Sequence, residues 1–315
     1  MMISIVNFII ASLTVSIIAI GVGISQSLTY KAALQAIDIQ PQAKDNISKL
    51  ALLSCALIET AAILGVFIAV LLLRDGTTPV NIYSDLSKIG IGIAIISAGF
   101  VVGLVSTWPA QEACLAIARQ PFHASWIFNF TLIVLSVIQT PLILAFIVTF
   151  FIKVQSVNVT QLADCLRLIG AGFAIGIGCI GPAIGLAYFA KIACRGIGMN
   201  REASTKILTF TFISQAIIES PAIFAMVTAL TLLLTTASTN PISGFAMLMA
   251  GITTGLGTLG PGISSSRTAA TACQQITINP ALYGTLSRTS IFAQGVIDTA
   301  AIYVLLISLI MIAFT

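Results

Sequence analysis

LSCALIETAAILGV (53–66), LIVLSVIQTPLILA (132–145), FISQAIIESPAIFA (212–225) and FAQGVIDTAAIYVL (292–305) are four versions of one window, about eighty residues apart. Three carry an acid, Glu59, Glu219 and Asp298, and the second carries Gln139 in its place. A hydroxyl follows each: Thr60, Thr140, Ser220 and Thr299. The flanks are apolar over a length that only a membrane or a deep core can bury. Placing an ionisable group in mid-bilayer costs several kcal/mol, roughly 2.5 to 3.5 on insertion scales, so acids there point to ion transfer before packing.

The rest of the chain supports a membrane reading. Of its 315 residues, 58% are hydrophobic and 8% charged, and the mean hydropathy is +1.08, outside the range of soluble domains. Apolar segments long enough to cross hydrocarbon as helices fall at 3–30, 48–73, 87–114, 125–152, 165–193, 205–236, 243–272 and 285–314. The first has no basic start and no small-residue cleavage site, and it is repeated later, so it reads as a mature helix. Lys and Arg gather after the odd-numbered spans (Lys31, Lys44, Lys49, Arg119, Lys191, Arg195, Arg201, Lys206, Arg267, Arg288) rather than after the even ones (Arg74, Lys88, Lys153, Arg167). By the positive-inside rule the turns 31–48, 115–124, 194–204 and 273–284 are cytoplasmic and both termini lie outside. The net charge of +4 belongs to this bias, and the cations form no continuous patch for nucleic acid.

The repeat is a helical hairpin. Each unit has a Gly- and Ala-rich first helix, a polar turn (IQPQAK, RQPFHA, MNREAS, INPALY) and a Leu-, Ile- and Val-rich second helix bearing the window quoted above. The step from Pro41 to Glu59 is eighteen residues, and it recurs from Pro121 to Gln139, Arg201 to Glu219 and Pro280 to Asp298. Eighteen residues of helix span about 27 Å, which carries the acid deep into the membrane. The expected fold is an all-α membrane protein of eight transmembrane helices in four tandem hairpins: 1–80, 81–160, 161–240 and 241–315. Glycines crowd only the first helices, as at Gly176, Gly178, Gly181 and Gly185, where they let backbones approach closely. Two layers follow: a tight inner one of first helices, and an outer one that brings the carboxyls toward the lipid. Four hairpins make only an arc, so closure needs further copies under cyclic symmetry.

Other chemistries find little footing. The six cysteines have no CxxC spacing and read as small packing residues. His123 sits in a polar turn, and Asp38, Asp45, Asp75, Asp85, Glu112, Asp164 and Glu202 lie in turns or at helix ends. There is no GxxxxGK[ST] loop, and the Gly-rich runs lie inside apolar helices.

In these motifs, above all GIGCIGPAIG (176–185), GLGTLGPGI (255–263), ARQP (118–121), FISQAIIES (212–220) and AQGVIDT (293–299), the chain resembles the c subunit, or proteolipid, of rotary F-type ATP synthases, with four hairpins fused in tandem. The resemblance implies a non-catalytic rotor subunit of a c-ring that needs no cofactor, with ATP chemistry on other subunits. It implies ion carriers at Glu59, Glu219 and Asp298, loaded and discharged at a stationary a subunit with an essential Arg. It further implies copies of the chain in a ring, central-stalk subunits on the cytoplasmic turns, and a bacterial plasma membrane. A V-type or sodium-type proteolipid working as an ATP-driven pump, and a non-rotary channel, are the competing readings.

The ion is H+ or Na+. Sodium-binding relatives use a Gln on the first helix, the acid and the following hydroxyl; Gln26, Glu59 and Thr60 supply that set in hairpin one. At the Gln position the other hairpins have Ser106, Leu186 and Ser265, and a Leu brings no oxygen, so protons are favoured. Ser220 and Thr299 are expected to support a protonated acid. Gln139 cannot titrate, so each chain has three carriers for four hairpins. Pro141 and Pro221 are expected to kink their helices, and Arg201, standing where the other turns have Pro, leaves the third turn's shape open.

Overall fold

A computed structural model describes residues 5–74, 81–236 and 240–315; Asp75 and the first two residues of the first predicted span lie outside them. Eight long helices build the described chain. The first helices of the hairpins are Ile5–Ile39, Ile82–Arg119, Leu162–Met199 and Pro241–Ile278; the second are Pro41–Arg74, Pro121–Ser156, Arg201–Leu234 and Pro280–Ala313. They are longer than the predicted spans. At 34 to 38 residues they run roughly 50 to 57 Å, well beyond about 30 Å of hydrocarbon, so every hairpin projects past the membrane. The predicted turns are therefore mostly helical, because their Ala, Gln and Lys are good helix formers. A single non-helical residue, Gln40, Gln120, Asn200 or Asn279, separates the two helices of each hairpin and leads into a one-turn 3-10 helix. Proline opens that 3-10 turn in three hairpins. Arg201 opens the third with the same one-turn 3-10 helix, and the side-chain oxygen of Asn200 accepts from the Glu202 amide as that of Asn279 does from Ala281 in hairpin four.

The first helices pack side by side in chain order, and the second helices of hairpins one to three each lie over the seam with the following hairpin. Glycine makes the inner layer tight. A methyl group at Gly172 would strike the Gly90 carbonyl, one at Gly251 that of Gly170, and one at Gly185 that of Gly262, so these backbones touch where any larger residue would force them apart. Burial shows an arc with two open edges. In the apolar window of the first helices, 72% of residues are buried in hairpin three but only 39% and 44% in hairpins one and four. At those edges Gly23 and Gly260 have nothing within 4 Å of an added methyl.

Prolines shape the layers unevenly. The first helices are interrupted at Ser106, Cys179 and Thr258, each three residues before a proline (Pro109, Pro182, Pro261). Proline cannot donate to the carbonyl four residues back. The carbonyl that Pro182 leaves free, Gly178 O, lies 3.4 Å from Thr258 Oγ1 at the break of the next hairpin, a hydroxyl whose shortest bond is to Thr254 O of its own helix (2.9 Å). Among the second helices, the one containing Pro141 breaks at Gln139 as expected. The expected break at Pro221 is absent: the helix runs unbroken through it, and Ser220 Oγ donates to Ile217 O (2.7 Å), the carbonyl that the proline deprives of its amide.

Candidate functional site

Three of the four acid positions face a joint between two hairpins. Asp298 shows the full arrangement: it is 8% exposed, Ser265 Oγ of its own first helix lies 3.2 Å from Oδ1, and Ser220 Oγ of the preceding hairpin hydrogen-bonds Oδ2. The same plan recurs two hairpins earlier. Gln139 is 6% exposed; its Nε2 donates to Ser106 Oγ (3.4 Å), and its Oε1 accepts from Thr60 Oγ1 (3.2 Å). In both joints the hydroxyl that follows one hairpin's acid serves the next hairpin's acid. A helix explains this, because adjacent residues point about 100° apart and cannot share one face.

Thr60 therefore does not join Glu59 and Gln26 in one set; it belongs to the joint of Gln139. Among the described residues no hydrogen bond closes on Gln26 or Glu59, which sit on the open edge of hairpin one, Glu59 exposed and Gln26 partly so. Thr299 is exposed on the opposite open edge, and its hydroxyl donates to Val296 O of its own helix (2.7 Å). Glu219 is half-buried at the joint of hairpins two and three. Its first-helix counterpart is Leu186, wholly buried and without an oxygen, and no hydrogen bond closes on the carboxyl among the described residues. The three internal joints are thus unequal: two are closed by hydroxyl hydrogen bonds and one is not, while Glu59 and Thr299 stand on the two open edges.

Ser106 emerges as a partner of Gln139, a role that its fifteen-residue step before the turn proline already permits. Gln215 and Gln294 escape a reading of the sequence alone, although each stands four residues before its acid in the windows quoted above. Both are buried, at 1% and 0% exposed. The six cysteines are free and buried, and no group of three or more His, Cys, Asp or Glu side chains that could hold a metal ion occurs among the described residues.

The repeat matches known proteins hairpin by hairpin. The family model of the ATP synthase C subunit fits residues 9–72, 169–232 and 248–311, the three hairpins that carry an acid. The chain is 42% identical over 71 residues to the ATP synthase c subunit of Dehalococcoides mccartyi, covering 93% of that protein and 22% of this one. It is 38% identical over 64 residues to the ATP synthase c subunit of Chloroflexus aurantiacus (84% of that protein, 20% of this one) and 39% over 83 residues to that of Geobacter metallireducens (87% and 26%). Each of these relatives thus corresponds to about one of the four hairpins, and the chain, with its eight apolar helices, is an integral membrane protein of the ATP synthase C-subunit family.

Proposed function

We propose that this chain is an ion-carrying rotor subunit of a rotary ATP synthase or ATPase, with Glu59, Glu219 and Asp298 as its carriers and H+ as its ion. The observation that carries the reading is the Asp298 joint, where a buried carboxyl meets two hydroxyls. A carboxyl facing hydrocarbon must be neutral or hold a cation. Protonated Asp298 satisfies this without a metal: its O–H donates from Oδ2 to Ser220 Oγ, whose own proton goes to Ile217 O, while Oδ1 accepts from Ser265 Oγ. Glu219 strengthens the choice of H+, since Leu186 gives sodium no oxygen ligand there. In contact with an Arg of a stationary subunit the charged carboxylate becomes favourable and the proton leaves. ATP chemistry belongs to other subunits of the complex.

Copies of the chain close the arc into a ring, in an arrangement that the register of the internal joints supports. Gly103 and Gly262 face Val22 and Pro182 of the preceding hairpin, which puts Gly23 against Pro261 of a neighbouring copy. Gly21 and Gly181 face Phe100 and Leu259 of the following hairpin, which puts Gly260 against Ile20 of the other neighbour. The same symmetry brings Thr299 of a neighbouring copy to Glu59 and Gln26, completing the fourth joint between chains. The hairpin turns face the cytoplasm of a bacterial plasma membrane and meet the central stalk.

Gln139 leaves three carriers for four hairpins. Fewer ions per turn allow a steeper gradient to be built from each ATP, which favours ATP-driven pumping. Reconstituting the complex in vesicles and following ATP-driven uptake with a pH dye and with sodium tracer tests the reading. Acidification at a rate indifferent to sodium supports it. Sodium uptake would assign the sodium-type alternative, and ion flow without ATP or other subunits would assign a channel.

A further inference from the structure

The second helices of hairpins three and four bury polar side chains on the turn side of their carboxyls. In hairpin four every residue buried between the turn and the acid is polar: Ser287, Ser290 and Gln294, followed by Asp298 itself. Steps of three, four and four place them on one helix face. In hairpin three Thr211 and Gln215 stand two turns and one turn before Glu219 in the same file. The same two positions hold Ala51 and Cys55 in hairpin one, and Thr131 and Leu135 in hairpin two.

The bonding of this file is incomplete. Gln294 Nε2 donates to Ser290 Oγ (3.1 Å), Ser290 O (3.3 Å) and Ser214 Oγ (3.3 Å), but its Oε1 is buried with no partner. Neither Oε1 nor Nε2 of Gln215 has a partner, nor has Thr211 Oγ1. The residue equivalent to Ser214 in hairpin two is Val134, which offers Gln215 no hydroxyl. With Gln294 fully buried and Gln215 1% exposed, a neighbouring copy cannot reach these atoms. Buried polar atoms are paired almost without exception, and those lacking a protein partner bind ordered water.

We propose that Gln215 and Gln294 each hold buried water one turn below Glu219 and Asp298. Helical side chains lean toward the N-terminus, so each carboxyl leans toward its glutamine. The rise between them is about 6 Å, a span that one water bridges. At Glu219 this water takes the place of the hydroxyl that Leu186 lacks. Its functional consequence rests on the rotor reading: a carboxyl next to water gains a hydrogen-bond partner on the turn side that Cys55 does not offer to Glu59.

The test is water-edited solid-state NMR on the full chain, reconstituted in lipid with 15N-labelled glutamine. Gln139 is the internal reference, because both its amide atoms are bonded within the chain. Magnetisation should pass from water to the Gln215 and Gln294 side-chain amides several-fold faster than to Gln139. Transfer as slow as at Gln139 would overturn the proposal. The measurement needs no variant and no transport activity, so its failure stands apart from failure of the rotor reading, which carbodiimide labelling of Glu219 and Asp298 tests separately.

Discussion

The joint of Asp298 and the joint of Gln139 are built on one plan and differ in one functional group. Each has a first-helix serine, Ser265 or Ser106, and a hydroxyl from the preceding hairpin, Ser220 or Thr60. An amide donates through nitrogen and accepts through oxygen, and a protonated carboxyl does the same through its two oxygens. If Asp298 is a carrier, Gln139 reproduces the loaded state of its site and can never unload it. The pair teaches that the hydrogen-bond cage suits a neutral group at the joint, carboxyl or amide alike.

The largest effect should come from turning the three proposed carriers into amides like Gln139. Glu59→Gln, Glu219→Gln and Asp298→Asn together should abolish ATP-driven uptake by reconstituted vesicles while leaving the ring assembled on a native gel; residual ion-coupled uptake would mean that other groups carry the ion.

Next in size is the inner layer on which both joints rest. Gly251→Leu drives a side chain into the Gly170 backbone, and overpacking of this kind costs about 1 to 3 kcal/mol or more, so ring yield and thermal stability should fall sharply. The same change at Gly23, whose site is open within the chain, should spare the folded chain and weaken only assembly between copies.

Restoring the acid by Gln139→Glu is gentler: the cage already fits a neutral group, so the ring should assemble normally and the ions moved per ATP should rise in the ratio of four carriers to three. An unchanged ratio, read from parallel uptake and hydrolysis rates, would show that hairpin two never meets the stator.

Smallest are the cage hydroxyls. Ser106→Ala and Ser265→Ala each remove one hydrogen bond, worth about 0.5 to 1.5 kcal/mol, so both should lower the ring's unfolding temperature slightly. Only Ser265→Ala should change the pH dependence of uptake, because only its partner titrates.

Much of this architecture is legible in the chain. The eighteen-residue step from turn to acid gives the hairpins, and glycine crowded into one helix of each pair gives the two layers. What the sequence does not convey is who pairs with whom across the joints. Thr60 follows Glu59 directly, yet the 100° turn between adjacent helical residues sends it to Gln139 of the next hairpin. The course of the proline helices is hidden for a similar reason: Pro141 and Pro221 look alike in sequence, but Ser220 answers the carbonyl freed by Pro221 and that helix stays continuous. Gln215 and Gln294 carry a signal, a shared offset of four before the acid, whose meaning depends on burial that only packing decides.

The most direct test of the carrier assignment is the mass of the intact chain after exhaustive carbodiimide treatment of the purified complex at acid pH. The reagent adds to protonated carboxyls shielded from water. Three adducts per chain, mapped to Glu59, Glu219 and Asp298 and rising to four in Gln139→Glu, are the predicted result. A chain that takes up label at none of these acids, or that gains none on restoring the carboxyl, would contradict it.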